Sequence, residues 1–477
     1  MVLSGPSESS IMSTPNVKSK AHSRPAPGSG VLDFIAIGLG PFNLSLACLA
    51  EPIRDLRGLF LERNEDFDWH PGMLIDDTTL QNPFLADLVS LADPKSPFSF
   101  LNYCKQEGKL YAYYIRERFY LSRAEYNRYC KWAIRQLSSI AFSSQVERVE
   151  YVERTAGDGG EGHYVVSGRH VRTGAPFVHR AARLVIGVGS VPQLPPCCEE
   201  AREHCIHSAH YVARKRELQK KRSIAVIGSG QSAAEIFYDL LKECDEHDYA
   251  LTWITRSPRF FQMENTKLTL EMISPDYIDY FYNLPDNVRE GIIARQDSLY
   301  KGVNASLINQ IYDLLDDRRS RAGRGGSPAR LITNSELTGC HYDRNEARFQ
   351  LRFVQRDEGV QYTHATDGAI FATGYGQNVP GFIDGIRERI RWDDKGRYRL
   401  SRNYAIDVNE RDIFVQNAGL YSHGLTNPDL GMSCYRNSCI LRELTGEEHY
   451  KIERRIALQD FSVPDTDAFV KAPLETQ

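Results

Sequence analysis

The stretch SIAVIGSGQSAAE, residues 223–235, runs from an apolar segment through two glycines into a helix-forming one. Ile224–Ile227 has the length and β-branched content of a buried strand. Gly228 and Gly230 permit a tight turn and let a pyrophosphate approach backbone N–H groups, and QSAAEIFYDLL is amphipathic at helical spacing. Strand, glycine turn and helix in this order form a dinucleotide-binding fingerprint. The same pattern occurs earlier, in DFIAIGLGPFNLSLA at 33–47. One nucleotide needs one fingerprint, so the chain is expected to hold two.

In the earlier copy Val31–Ile37 is the strand and Gly38 and Gly40 make the turn. A helix starting near Pro41 and running through Leu44 directs its positive end at the phosphates. Asn43 stands where the third glycine usually sits. The next strand, GLFLE, ends in Glu62, 24 residues after Gly38, near the spacing of an acid that holds a ribose hydroxyl. After the second copy, LTWIT is followed by Arg256 and Ser257 instead of an acid. A guanidinium there can hold a 2′-phosphate that a carboxylate would repel; the alternative is a solvated arginine. The first site is therefore read as that of FAD and the second as that of NADPH. RLVIGVGSVPQLP (183–195) and DGAIFATGY (367–375) read as returning strands that close on glycine turns. The expected fold is α/β, with two Rossmann-like domains, the second inserted in the first. The FAD domain would span 31–210 and 371–477, and the NADPH domain 211–370, including a helical substrate region at about 262–315.

A chain of 477 residues is long enough for such an arrangement. A net charge of -4 argues against a chain-wide nucleic-acid role, and no apolar run approaches the ~20 residues of a membrane span. The ten cysteines show no repeating framework and read as reduced, cytoplasmic thiols. Residues 1–30 are rich in Ser, Pro and Gly and read as a disordered tail, with an organelle transit peptide as the rival. RRSRAGRGG (318–326) reads as a solvated linker. Cys197, Cys198, His204, Cys205, His207 and His210 crowd one segment, but no C-x2-C or H-x3–5-H pair is present. No metal is expected there; the segment reads as a connector between domains.

Paired nucleotide sites serve several chemistries. Cys48 stands alone, so a disulfide-reductase pair on the first helix is excluded. AREHCIHSAHY keeps a His-Ser and a tyrosine but lacks the Phe and Gly that Baeyer–Villiger and ordinary flavin monooxygenases carry before the second fingerprint. GLGPFNLSLA, DWHPGMLIDDTTLQNPFLADLVSLADPKSPFSFLNY, GSGQSAAE, FATGY and SHGLTNPDLGMSCYRNS resemble the flavin-dependent N-hydroxylating monooxygenases of siderophore biosynthesis, the lysine, ornithine and diamine N-hydroxylases. The resemblance extends from about residue 31 to about 445. It implies that NADPH reduces FAD, that O2 adds at flavin C4a, and that the hydroperoxide oxygenates a primary amine.

The resemblance also implies roles for single residues. Trp69 and His70 match positions facing the flavin, Trp69 having core packing and His70 a satisfied buried state as alternatives. Gln81 matches the glutamine at the flavin's reactive edge. Gln231, Ser232, Ala372 and Gly374 match positions that hold the nicotinamide nucleotide, and Tyr300 in LYKGVN aligns with a tyrosine near it. Gln81 and Tyr300 are the catalytic candidates. Three departures bear on the substrate. Ala86 replaces a lysine, and Leu270 an asparagine, that in the amino-acid hydroxylases hold the substrate carboxylate; Lys267 could compensate. Asp429 stands where those enzymes carry an apolar residue, with a helix-capping acid as the alternative. Loss of carboxylate binders and gain of an acid fit a substrate whose far end is an ammonium. The expected activity is N-hydroxylation of cadaverine or putrescine by a cytoplasmic homo-oligomer. An L-lysine or L-ornithine hydroxylase is the runner-up, and a non-catalytic flavoprotein or NADPH oxidase the reading from another class.

Overall fold

Each glycine turn follows the central strand of a parallel sheet, and the two sheets are built alike. The computed structural model describes residues 30–153, 162–322, 329–466 and 468–469. In chain order, β1 (Leu32–Ile37) turns into α1 (Pro41–Ala50), and β2 (Gly58–Leu61) follows. A ribbon of β3 (Thr79–Pro83) and β4 (Tyr120–Ser122) encloses α2 (Phe100–Gln106) and α3 (Leu110–Arg116). Next come α4 (Arg123–Ile134), β5 (Ile140–Ala141) and a meander of β6 (Ser144–Val152), β7 (His163–His170) and β8 (Pro176–Ile186). The connector holds β9 (Ser190–Pro192), β10 (Ile206–His207) and α5 (Tyr211–Leu218).

The second fingerprint forms β11 (Ser223–Ile227), α6 (Gln231–His247) and β12 (Ala250–Ile254). Five helices follow: α7 (Lys267–Leu270), α8 (Pro275–Tyr282), α9 (Asp286–Arg295), α10 (Asp297–Tyr300) and α11 (Ala305–Ala322). Then come β13 (Ala329–Ile332), a second meander of β14 (Ser335–Asp343), β15 (Arg348–Gln355) and β16 (Val360–Thr366), and β17 (Gly368–Phe371). The chain ends through β18 (Tyr375–Gln377), β19 (Ile413–Val415), α12 (Leu420–His423) and α13 (Ser433–Thr445).

The first sheet has seven strands: β5–β2–β1–β8–β19 run parallel, and β7 and β6 continue it antiparallel from β8. β8 joins the two parts of this sheet: its first half closes the antiparallel meander and its second half lies between β1 and β19. The second sheet has the order β13–β12–β11–β17–β10, also parallel. Phe34, Ile35 and Ala36 in β1, like Ala225 and Val226 in β11, are fully buried, which is why these central strands read as unbroken apolar runs. The two sheets differ in the origin of the fifth strand. β19 comes after the returning strand of its sheet, whereas β10 comes before the fingerprint of its own. The second sheet thus already takes in Ile206–His207, ahead of the boundary expected near 211; two residues carry no periodicity to reveal them.

The basic loop needs a correction. Arg318–Arg321 are helical, and Arg318 is buried, donating to the Leu241 carbonyl and pairing with Asp245. Its function is to dock α11 on α6, not to solvate a linker. Residues 323–326 of that loop, and residues 1–29 of the tail, lie outside the described residues. Among the described residues, no helix is long and apolar enough to cross a membrane.

Candidate active site

The two fingerprints close in the same way. Gly38 N–H donates to Leu61 O and Gly187 N–H to Ile37 O, each at 2.8 Å. In the second copy, Gly228 N–H donates to Ile254 O at 3.0 Å and Ala372 N–H to Ile227 O at 2.8 Å. Gly38 has φ +89° and Gly228 φ +137°. A Cβ on either would collide with the carbonyl of the returning strand's turn, Gly187 or Ala372. Asn43, in place of a third glycine, fits because it faces Gly187 and donates to Gly38 O at 2.7 Å. It bolts the turn instead of merely making room for it.

Both fingerprint helices begin uncapped. Gly40 and Gly230 are the N-caps, no side chain caps either end among the described residues, and neither first turn holds an acid. Free N–H groups and the positive end of a helix dipole are what a pyrophosphate needs. Glu62 spends one oxygen on Leu39 N–H at 2.7 Å and the other on Asn64 N–H at 2.8 Å. Each oxygen keeps a second lone pair, so shaping the turn leaves it free to accept from a ribose. At the carboxyl ends of β8 and β19 lies a cavity of about 230 Å³ lined by Val188, Gly189, Gln377, Gln416 and Ala418. Arg256 is exposed just past β12, with no hydrogen-bond or ion-pair partner among the described residues.

Gln81 on β3 and Gln231 at the start of α6 meet through a residue that the sequence reading did not single out. Asn304 donates from Nδ2 to Gln81 Oε1 at 3.3 Å, and its backbone N–H donates to Gln231 Oε1 at 2.8 Å. Nε2 of Gln81 is buried and has no partner among the described residues, a donor that a ligand in the cleft would satisfy. Tyr300 lies on α10 close by, with Lys301 over its ring, and Lys301 O is 3.6 Å from where a Gly230 side chain would begin. Ser232, partly buried, follows Gln231 on α6. Asn304 lies in LYKGVN, four residues past Tyr300; a polar residue following a glycine was the only local signal.

Trp69 packs against Tyr126 (centroids 5.3 Å) and His70 (5.0 Å), and His70 against Tyr375 (5.7 Å). His70 has φ +50° and is partly exposed to solvent. The protein packed around its ring still desolvates it, and with the charge of Arg123 lowers its pKa to about 4. His207 is buried, and its Nε2 lies 2.9 Å from Gly374 O. Gln193 N–H donates to the same oxygen at 3.0 Å, so the FATGY turn is clasped by the connector. Gly374, at φ +87°, supplies the left-handed residue of that turn.

The substrate candidates divide. Ala86 and Asp429 come together over Gly431: a Cβ there would stand 2.9 Å from Asp429 Oδ1 and 3.8 Å from Ala86 Cβ. Asp429 accepts from Asn82 Nδ2 at 3.0 and 3.2 Å and from Gly431 N–H at 2.7 Å. Burial raises its pKa above the usual carboxylate value, against the pull of those donors. α13 starts four residues later with Met432 as N-cap, so Asp429 is not that helix's cap. The buried Arg436 acts on Asp429 from a distance but forms no ion pair with it among the described residues. Its guanidinium donates to Gln416 Oε1 and Asn427 O and lies over the Phe42 ring. Leu270 is exposed at the end of α7, and the described contacts do not bring it to Ala86 and Asp429. The short helix is tied instead to the C-terminal segment, where Leu268 O accepts from Gln459 and Glu271 from Leu458 N–H.

Comparison with known proteins adds to this geometry. The family model of L-lysine 6-monooxygenase/L-ornithine 5-monooxygenase matches residues 30–377. The alcaligin biosynthesis enzyme of Bordetella pertussis is 57% identical over 91% of this chain and 92% of its own. The putrescine N-hydroxylase of Shewanella oneidensis is 47% identical over 94% of this chain and 87% of its own. The solved structure of DfoA bound to FAD, the desferrioxamine-pathway cadaverine monooxygenase of Erwinia amylovora, superposes with a TM-score of 0.87 at 49% identity. That match covers 92% of this chain and 100% of DfoA.

Proposed function

Because this chain belongs to the L-lysine 6-monooxygenase/L-ornithine 5-monooxygenase family and is an FAD- and NADPH-dependent N-monooxygenase, we propose that its substrate is a diamine, putrescine or cadaverine, on the way to a hydroxamate siderophore. A homo-oligomer working in the cytoplasm completes the reading, and light scattering and cell fractionation test those two points. The single observation that carries the diamine is Asp429, a partly buried acid beside Ala86 with no cation paired to it among the described residues. Such an acid attracts an ammonium and repels a carboxylate.

A bound flavin, once reduced by NADPH, would activate O2 so that one of its oxygen atoms passes to the amine and the other leaves as water. The protein's residues do the rest. The amide ends of α1 and α6 hold the two pyrophosphates, and Arg256 the 2′-phosphate. The orphaned Gln81 Nε2 would donate to a bound flavin, and Asn304 keeps Gln81 and Gln231 in one register, so residues proposed for the two nucleotides are held together. Asp429, oriented by Asn82 and Gly431, binds the far ammonium. The reacting amine must be neutral, although a free alkylamine has a pKa near ~10.4; burial in the cleft disfavours its charged form. Water has to be kept out so that oxygen is transferred to the amine and not lost as peroxide.

A panel of putrescine, cadaverine, lysine and ornithine, scored by hydroxylamine formed per NADPH oxidised, tests this. Either diamine is expected to exceed both amino acids in kcat/KM. Lysine or ornithine ahead of both diamines would replace the proposal with an amino-acid hydroxylase. NADPH oxidation without hydroxylamine from any of the four would make the protein an oxidase.

A further inference from the structure

The connector and the second meander meet at three thiols. Cys198 ends the short turn Pro196–Cys198, Cys205 directly precedes β10, and Cys340 comes from β14, far downstream. Their sulfurs all lie within 4.8 Å of one another. Cys198 and Cys340 are buried and Cys205 is half-buried. The surroundings are apolar: Ala201, Ile227, Ile254, Phe349 and Phe371 belong to the same core. None of the three is disulfide-bonded. The sequence segment alone offered no ligand pair at metal spacing; the third sulfur is added by the tertiary structure.

We propose that Cys198, Cys205 and Cys340 form a three-sulfur site for a thiophilic d10 metal ion such as Zn2+, which staples the connector to the second nucleotide domain. Zn–S bonds of about 2.3 Å put tetrahedral sulfurs about 3.8 Å apart, so each separation has to shorten by at most about 1 Å to close the site. Sulfur as the sole donor type selects Zn2+ or Cu+ over harder ions. Thiolates in an apolar core cannot be solvated, and a cation among them supplies the missing neutralisation. Three protein ligands leave a fourth position, on the side of the half-buried Cys205, for water. The site adds no step to the oxygenation; because the metal binds only the folded arrangement, its binding energy stabilises the fold.

The test uses FAD-loaded protein, reduced and stripped with a chelator. Zn2+ uptake is measured by competition with a chromophoric chelator, and Cd2+ uptake by the ultraviolet thiolate-to-cadmium charge-transfer band. One ion per chain is expected, with a rise in Tm of several degrees. Cys340→Ser and, separately, Cys205→Ser should abolish both signals while retaining FAD, and Cys104→Ser should leave both intact. Cys205 is half-buried, so its variant keeps the test valid if Cys340→Ser fails to fold. No uptake by the wild type, or uptake by the two site variants equal to that of the wild type, overturns the proposal. So does a disulfide among the three cysteines, detected by mass in protein purified without oxidant.

Discussion

On the proposed diamine reading, substrate choice turns on Asp429. Asp429→Asn keeps the shape and removes the charge. Truncating one partner of a buried charge pair costs ~2–5 kcal/mol, so the diamine KM should rise ten-fold or more while FAD content is unchanged. The pH dependence has a definite sign. Burial raises the Asp429 pKa, and only its carboxylate attracts an ammonium, so the wild-type diamine KM should climb as the pH falls toward that raised pKa. The Asn variant should lack this climb. Identical KM–pH profiles in both proteins would assign the ammonium to another group. Arg256→Ala should raise KM for NADPH and leave that for NADH little changed; a wild type indifferent to the two cofactors would remove the 2′-phosphate assignment. His423 makes a prediction about stability. It is fully buried, bonded through Nδ1 to Ser422 and through Nε2 to Arg402 O, and burial lowers its pKa to about 3. The unfolded histidine binds a proton near ~6.5 and the folded one does not, so this site loses on the order of 1.4 kcal/mol per pH unit from about 6.5 down to about 3. His423→Gln should flatten the acid limb of a urea-midpoint profile; an unchanged slope would mean that other groups control it.

At the scale of the element, the two strand–turn–helix units can be broken one at a time. Gly38 and Gly228 both have left-handed φ and both press against a carbonyl of the returning strand. Gly38→Ala should lose FAD during purification. Gly228→Ala should keep FAD and raise KM for NADPH at least ten-fold, an order-of-magnitude expectation from about 1–3 kcal/mol of strain. A Gly228→Ala protein with wild-type NADPH kinetics would show that the turn tolerates a Cβ and that the close approach is not required. These units were legible from the sequence because each packs its chemistry into a dozen consecutive residues. β10 was not, since a two-residue strand takes its identity only from its partner β17. The end of α11 was also misread: RRSR looks solvated on charge alone, and only the position of Asp245 on α6 makes Arg318 a buried residue.

For the whole molecule, one buried ion pair joins the parts. Arg123, which opens α4, reaches Glu235 on α6 at 3.0 Å, and the Glu235 side chain is 2% exposed. Glu235 also accepts from Gln231 Nε2 at 2.9 Å, so the pair stands directly behind a proposed nucleotide contact. Arg123→Ala leaves that carboxylate buried and unpaired, which typically costs ~3–5 kcal/mol. A large drop in Tm is expected, with Glu235→Gln in the same chain restoring part of it. If Arg123→Ala melts like the wild type, Glu235 is solvated or protonated in the folded protein and the pair contributes nothing.

The sequence by itself determined the two nucleotide fingerprints, the need for FAD and NADPH, the α/β class and the family, because those signals are local and repeat strand and helix periodicities. It also singled out Ala86 and Asp429 as departures from a pattern. Only the tertiary structure decided that these two residues are neighbours while Leu270 lies apart, that Asn82 orients the acid, and that Asn304 joins Gln81 to Gln231. It alone brought Cys340 to Cys198 and Cys205. The reason is the same in each case: hydrogen bonds and sulfur–sulfur contacts between segments 73 to 347 residues apart depend on how the two sheets and their crossings pack, and nothing in the spacing of either segment encodes its partner.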